Sequence, residues 1–134
     1  MNEVIEFLNE NSVQYLATVD LDGKPRVRPF QFMLEKEGKL YFCTNNQKNV
    51  YKQLKKSPYV EITTSSPTFA WIRLKGKAVF SDDMKIKKAI IESNELVKSQ
   101  YQTANNPIFK IFYLDEAKAV ITDFSGKPPR EFTL

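Results

Sequence analysis

The fold is decided by two neighbouring stretches, GKPRVRPFQF at residues 23–32 and LYFCTNNQK at residues 40–48. The first follows a glycine turn and reads as the second strand of a hairpin. The second is a short apolar strand that passes into amides and a lysine, where helical periodicity begins. Together they predict a hairpin, a further strand and a basic helix in direct succession.

The end of the second stretch has the composition of a phosphate site. Thr44 supplies a hydroxyl, Asn45 and Asn46 supply amides, and Lys48 supplies an ammonium group where the helix begins. Free backbone N–H groups and the helix dipole favour an anion at such a position. On the residues alone, an ordinary helix start with a solvated lysine is the commoner reading of this pattern.

Working outward, the periodicity of the remaining chain predicts mostly strands joined by short turns. Gly76 lies within the longest strand and indicates a bulge or a close approach of another backbone. From residue 125 onward the sequence has the character of an exposed tail. The predicted helices cover residues 4–8, 46–57 and 84–91, and a second helical stretch is expected to continue through Leu96 and Val97; the predicted strands cover residues 13–20, 26–34, 39–43, 59–64, 68–80, 108–114 and 119–124.

Length and composition limit the possible chemistry. The 134 residues form one domain, with a formal net charge of +4, a single cysteine and no histidine. Neither a Ser-His nor a Cys-His nucleophile system can therefore be built, and a metal site is not expected. We expect no catalytic residue of the chain itself, and any catalysis would depend on a cofactor. The charge suits an anionic small ligand, and it is too small to indicate nucleic acid as a partner.

No apolar segment of the sequence has the length of a membrane span or the form of a signal peptide. A cytoplasmic location is therefore expected. Hairpin-length turns and few helices predict a small, mainly β fold with flanking helices, built as an antiparallel barrel.

The order of these motifs resembles the pyridoxamine 5′-phosphate oxidase-like split-barrel flavoproteins. The resemblance rests on ATVD at residues 17–20, DGKPRVRP at 22–29, LYFCT at 40–44, the basic helix that ends at Ser57-Pro58, and IRLKGKAVF at 72–80. It implies a six-stranded antiparallel Greek-key split barrel over residues 1–134. It also implies a homodimer with FMN at the subunit interface.

The resemblance assigns the cofactor-binding residues one by one. Arg28, Pro29, Phe30 and Gln31 would lie along the isoalloxazine ring, with Arg28 also holding the flavin phosphate; Cys43, Thr44 and Lys48 match the phosphate end of the site. Arg26 shares a strand face with Arg28 and is a further candidate, although charges and a proline on an edge strand also protect against aggregation. Trp71 stands where the family has a glutamine near the flavin, and it is expected to meet the ligand or the partner subunit.

The implied function is that of an FMN-binding protein, with hydride or electron transfer through flavin N5 to an unidentified small molecule. A nicotinamide nucleotide is the candidate electron donor, although no GxGxxG fingerprint is present. The chain lacks the C-terminal arginine and histidine with which the oxidase handles its pyridoxal substrate, so the oxidase reaction itself is not expected. A non-catalytic flavin carrier or sensor is an alternative. A basic barrel for single-stranded nucleic acid is a further alternative.

Overall fold

The computed structural model describes all 134 residues as eight strands and four helices. The helices are α1 (Asn2–Glu10), α2 (Asn49–Lys56), α3 (Met84–Ser93) and α4 (Glu95–Tyr101). The strands are β1 (Gln14–Val19), β2 (Pro25–Phe30), β3 (Leu34–Lys36), β4 (Lys39–Asn45), β5 (Tyr59–Ser65), β6 (Trp71–Ser81), β7 (Phe109–Thr122) and β8 (Arg130–Thr133). None of the helices is long and apolar enough to cross a membrane.

All strands belong to one antiparallel sheet with the order β2-β1-β5-β6-β7-β4-β3, and β8 pairs with the second half of β7. The neighbours β1/β5 and β4/β7 are far apart in sequence, which gives the connections their Greek-key character. The sheet does not close, because β2 and β3 lie at its two ends. This architecture confirms the predicted mainly β split barrel, whereas the count of six strands is approximate.

The strand predicted over residues 26–34 is divided in the structure. It forms β2 and β3, and residues 31–33 between them belong to neither strand. Phe32 is buried there, and its backbone N–H donates to Gln14 Oε1 at 2.6 Å. The chain leaves one edge of the sheet and joins the other at this point, so a continuous strand is not possible.

The two strands predicted over residues 108–114 and 119–124 are a single long strand, β7. The expected interruption is a bulge, in which Glu116 has φ 52° and the register with β6 shifts between Lys75 and Lys77. At Gly76 an added Cβ would lie 3.0 Å from the Asp115 carbonyl oxygen, so the predicted close approach is confirmed. The prediction of an exposed tail from residue 125 onward is also wrong in part, because β8 lies in this segment and pairs with β7.

Two apolar clusters hold the sheet and helices together. The larger one fills the barrel and receives Val4 and Leu8 from α1 and Val50 and Leu54 from α2. The smaller one packs α3 and α4 against the other face of β4 and β7. Because side chains alternate along a strand, β4 contributes Phe42 to the larger cluster and Tyr41 to the smaller one.

Candidate functional site

The junction of β4 and α2 contains the one buried side-chain N or O atom that has no hydrogen-bond partner, Thr44 Oγ1. Thr44 is only 2% exposed. It lies two residues after Phe42 and so faces the barrel and α2. A buried hydroxyl without a partner costs about 1–3 kcal/mol, so a residue retained in this state calls for an explanation.

The beginning of α2 lies four residues further along the chain. Lys48 occupies the N-cap position in an extended conformation, and no side chain caps the helix. By contrast, Asp83 accepts hydrogen bonds from the backbone of α3, and Asn94 Oδ1 accepts one from Val97 N–H of α4. The N–H groups in the first turn of α2 thus have no side-chain acceptor, and Lys48 is exposed beside them.

Arg28 on β2 is tied to α2 by a polar network that we call the Arg28 network. Its Nη1 donates to Thr18 Oγ1 at 2.7 Å and to the Leu16 carbonyl oxygen at 3.2 Å. Its Nη2 donates to Gln53 Oε1 at 2.8 Å, and the Thr18 hydroxyl donates to the same oxygen at 2.5 Å. The network therefore fixes the edge strand β2 against the helix whose N-terminus is uncapped.

The guanidinium of Arg28 has only neutral hydrogen-bond partners. Burial lowers the pKa of Arg28, and the nearby Asp20 carboxylate partly offsets this effect. That carboxylate is itself paired with Arg26 at 3.0 Å. Arg28 consequently holds a half-buried positive charge that no hydrogen-bonded acid of the chain neutralises.

The remaining ring-side candidates lie where β2 ends. Phe30 packs its ring against Phe42 and Phe112, with centroid distances of 6.4 and 6.0 Å. Pro29 is exposed on the opposite face of the strand. Gln31 Oε1 accepts from Asn94 Nδ2 at 3.4 Å. β2 is an edge strand, paired only with β1, so one row of its backbone groups is free.

Two of the predicted site residues, Arg26 and Trp71, contact parts of the molecule other than α2. Arg26 forms ion pairs with Asp20 and Asp22 at the β1–β2 turn. Trp71 begins β6, and the Arg73 guanidinium lies over its ring at 5.1 Å. The structure thus brings Arg28 to α2, the helix that Thr44 and Lys48 precede, and gives Arg26 and Trp71 other neighbours.

Cys43 faces the α3–α4 side of β4. Burial raises the pKa of the thiol to about 12, and the charge of Lys48 lowers it only in part. A thiol in this state is protonated at neutral pH and is a poor nucleophile.

The outer face of the β1–β2 hairpin is apolar and uncovered. Ala17 pairs with Val27, and Tyr15 with Pro29, so these side chains share one face. Val27 is 67% exposed, and Tyr59 of β5 is 64% exposed. An open groove of about 550 Å³ extends from this face toward Lys75 and Lys118. An uncovered apolar surface beside a candidate site is typical of a protein–protein contact.

Sequence reasoning missed Thr18 and Gln53. Both are 3% exposed and are polar residues at positions where the periodicity of β1 and α2 calls for apolar ones. That mismatch was the available signal, because buried polar side chains need partners. Their partner, Arg28, is distant in sequence, so the contact itself could not be inferred.

The fold and the β4–α2 junction define an open split barrel with a candidate anion site at a helix N-terminus. Over residues 1–118 the sequence matches the family described as "Pyridoxamine 5'-phosphate oxidase". The chain therefore belongs to the pyridoxamine 5'-phosphate oxidase family, as its motifs predict. A comparison with curated proteins finds no match.

Solved structures with the same fold include a NimC/NimA family protein from Clostridium acetobutylicum. It is 36% identical, with a TM-score of 0.91, over 100% of this chain and 92% of that one. A pyridoxamine 5'-phosphate oxidase-related, FMN-binding protein from Nostoc punctiforme is 18% identical, with a TM-score of 0.75, over 97% and 87% of the two chains.

A heme-binding protein from Mycobacterium smegmatis is 17% identical, with a TM-score of 0.74. This chain is covered to 93% in that comparison and spans only 54% of the mycobacterial protein. At these identities, the Nostoc and Mycobacterium proteins establish the fold and no more.

Proposed function

We propose that the protein binds FMN and acts as a flavin-dependent oxidoreductase. The observation that carries this proposal is the unpartnered Thr44 hydroxyl, four residues before the N-cap position of the uncapped helix α2. A hydroxyl donor, backbone N–H groups and the Lys48 ammonium are the groups that bind a phosphate monoester. The residues present therefore fit the phosphate of FMN.

The isoalloxazine ring would lie along β2. The free edge of this strand offers backbone groups to the ring, from Arg28 to Gln31. Arg28 adds a positive charge without a carboxylate partner in the Arg28 network. Arg26, Cys43 and Trp71 complete the proposed contact set, although their own neighbours give them less support.

The active unit would be a homodimer with FMN at the interface. The apolar outer face of β1, β2 and β5 supports this, because a second copy would bury Tyr15, Val27 and Tyr59. The rim of the groove carries two acids and two bases, Glu61, Glu116, Lys75 and Lys118. Both signs are what a self-complementary, two-fold interface requires.

Bound FMN would supply hydride or electron transfer at N5, and the protein would supply binding, orientation and electrostatics. A nicotinamide nucleotide is the proposed donor, and the electron acceptor would be a small molecule. A flavin carrier or sensor would bind FMN equally well. Oxidation of reduced nicotinamide by the holoprotein would separate the enzyme from the carrier.

A heme is less well supported than FMN. The chain contains no histidine, so it cannot offer an imidazole as an axial ligand. Thr44 and Lys48 also supply donors suited to a phosphate, which heme lacks.

The first test is the visible absorption spectrum of the purified protein, followed by identification of what heat releases from it. Lys48→Ala should weaken FMN binding about tenfold to a hundredfold, since a charge-assisted contact contributes about 1.5–3 kcal/mol. Riboflavin, which lacks the phosphate, should bind nearly unchanged. Lys85→Ala in the first turn of α3 is the matched control.

A colourless protein that also fails to bind added FMN would refute the flavin proposal. Equal losses for FMN and riboflavin in Lys48→Ala would refute the phosphate assignment alone.

A further inference from the structure

In the Arg28 network a positively charged side chain has only neutral hydrogen-bond partners, which is unusual for a half-buried guanidinium. A half-buried guanidinium is usually stabilised by a carboxylate, because removing a charge from water is costly. Here the three acceptors are a hydroxyl, an amide oxygen and a backbone carbonyl oxygen. They hold the guanidinium in place and do not cancel its charge.

The network also leaves donors unused. A guanidinium has five N–H donors. Three hydrogen bonds engage Nη1 and Nη2, which leaves Nε–H and one Nη2–H, two donors, without a partner in the protein. Arg28 is not fully buried, so these donors are accessible to a ligand at β2.

Thr18 and Gln53 hold Arg28 from two different elements. Thr18 lies on β1 and Gln53 on α2, and each is 3% exposed. The hydroxyl of Thr18 accepts from Arg28 and donates to Gln53, which closes a triangle of three hydrogen bonds. A side chain held in this way has lost its rotamer freedom before any ligand arrives, which favours binding.

We infer that Thr18 and Gln53 are positioning residues that keep the Arg28 charge fixed, and free of a hydrogen-bonded carboxylate, for the electron-rich edge of a bound flavin. This inference rests on the proposed FMN site and adds what sets its electrostatics. A fixed cation near the ring favours the negatively charged reduced form, so the network would raise the midpoint potential of the bound flavin.

The decisive variant is Gln53→Glu, which keeps the shape of the side chain and an oxygen acceptor for both donors. Its carboxylate would neutralise Arg28, and we expect a lower midpoint potential of bound FMN and about tenfold weaker binding of the reduced form. Gln100→Glu, on the exposed surface of α4, makes the same charge change and should alter neither quantity.

Thr18→Val and Thr18→Ser give a second measurement that does not depend on the stability of Gln53→Glu. The valine variant removes the hydroxyl and should weaken FMN binding several-fold, and the serine variant should restore it. Circular dichroism of each variant without flavin monitors the fold.

Two failures are distinguishable. If wild type binds FMN but Gln53→Glu has the wild-type affinity and potential, the positioning role is wrong and the FMN site stands. The same holds if Gln53→Glu does not fold and Thr18→Val binds FMN as tightly as wild type. If wild type binds no flavin, the proposed function fails and this inference fails with it.

Discussion

The two faces of β4 differ in whether their polar groups have hydrogen-bond partners within the protein. On the face toward α3 and α4, Asn45 Nδ2 donates to Tyr101 Oη at 3.0 Å, and both helices have side-chain caps. On the face toward α2, the Thr44 hydroxyl has no partner and the helix has no side-chain cap. We call the first the complete face and the second the incomplete face, and the proposed binding site lies on the incomplete face, although adjacent residues of one strand build both.

Alkaline pH should give the largest effect, and it acts on the complete face. Burial raises the pKa of the Cys43 thiol to about 12 from 9.0. Unfolding would release a thiol that ionises above pH 9, so stability should be unaffected below that pH. It should fall by up to about 1.4 kcal/mol per pH unit as pH rises from 9 toward 12.

Chemical denaturation of wild type and Cys43→Ala between pH 7 and 11 measures this. Burial also raises the pKa values of Tyr41 and Tyr101, so part of the alkaline loss should persist in the variant. Identical pH dependence of the two proteins would show that the Cys43 thiol is not protected by the fold.

The next-largest effect is the difference in unfolding free energy between variants of two buried threonines, Thr18 and Thr44. Thr18→Val removes a hydroxyl that both donates and accepts, and it should cost about 1–3 kcal/mol of unfolding free energy because Arg28 and Gln53 lose a partner. Thr44→Val removes a hydroxyl without a partner, so the unliganded protein should be as stable as wild type or slightly more stable.

Denaturation of both variants without flavin measures the two unfolding free energies. FMN titration of Thr44→Val then measures how much the Thr44 hydroxyl contributes to FMN binding. A clear loss of stability in Thr44→Val would mean that its hydroxyl already has a partner, and the incomplete face would lose its main evidence.

The smallest effects are expected from substitutions at the N-termini of α3 and α2. Asp83→Ala should destabilise the protein by about 1 kcal/mol, since it removes the cap that accepts from Lys85 and Ile86 N–H. Lys48→Ser supplies α2 with the capping residue it lacks and should stabilise the unliganded protein by a few tenths of a kcal/mol to about 1 kcal/mol.

The same Lys48→Ser substitution should weaken FMN binding, because the added hydroxyl competes for the N–H groups and the ammonium is gone. Thermal unfolding with and without FMN measures both effects. Tighter FMN binding in this variant would contradict the assignment of the helix start to a phosphate.

Much of the fold followed from local pattern. Strand alternation and the Ser57-Pro58 helix stop are short-range signals, and the Gly76 bulge was readable from one residue within a strand. The break at residues 31–33 was not readable, because it depends on where β2 and β3 lie in the sheet. The pairing of β8 with β7 is likewise a long-range contact that local sequence does not encode.

At the candidate site, too, the sequence indicates only what is local. Thr44 and Lys48 could be proposed from sequence because they are close together at a recognisable strand-to-helix transition. Gln53 was not found, since its importance comes from Arg28, which lies 25 residues earlier. Polar residues at core positions are the signal that would have pointed to it.

The link at residues 31–33 also acts as a tether of fixed length. Phe30 ends one edge strand of the barrel and Leu34 begins the other, and four peptide steps span at most about 14 Å. Met33 N–H donates to the Tyr41 carbonyl oxygen, which anchors the link to β4. The two edge strands of the open barrel, β2 and β3, are therefore held close together where this link joins them, and they can separate widely only at their other ends.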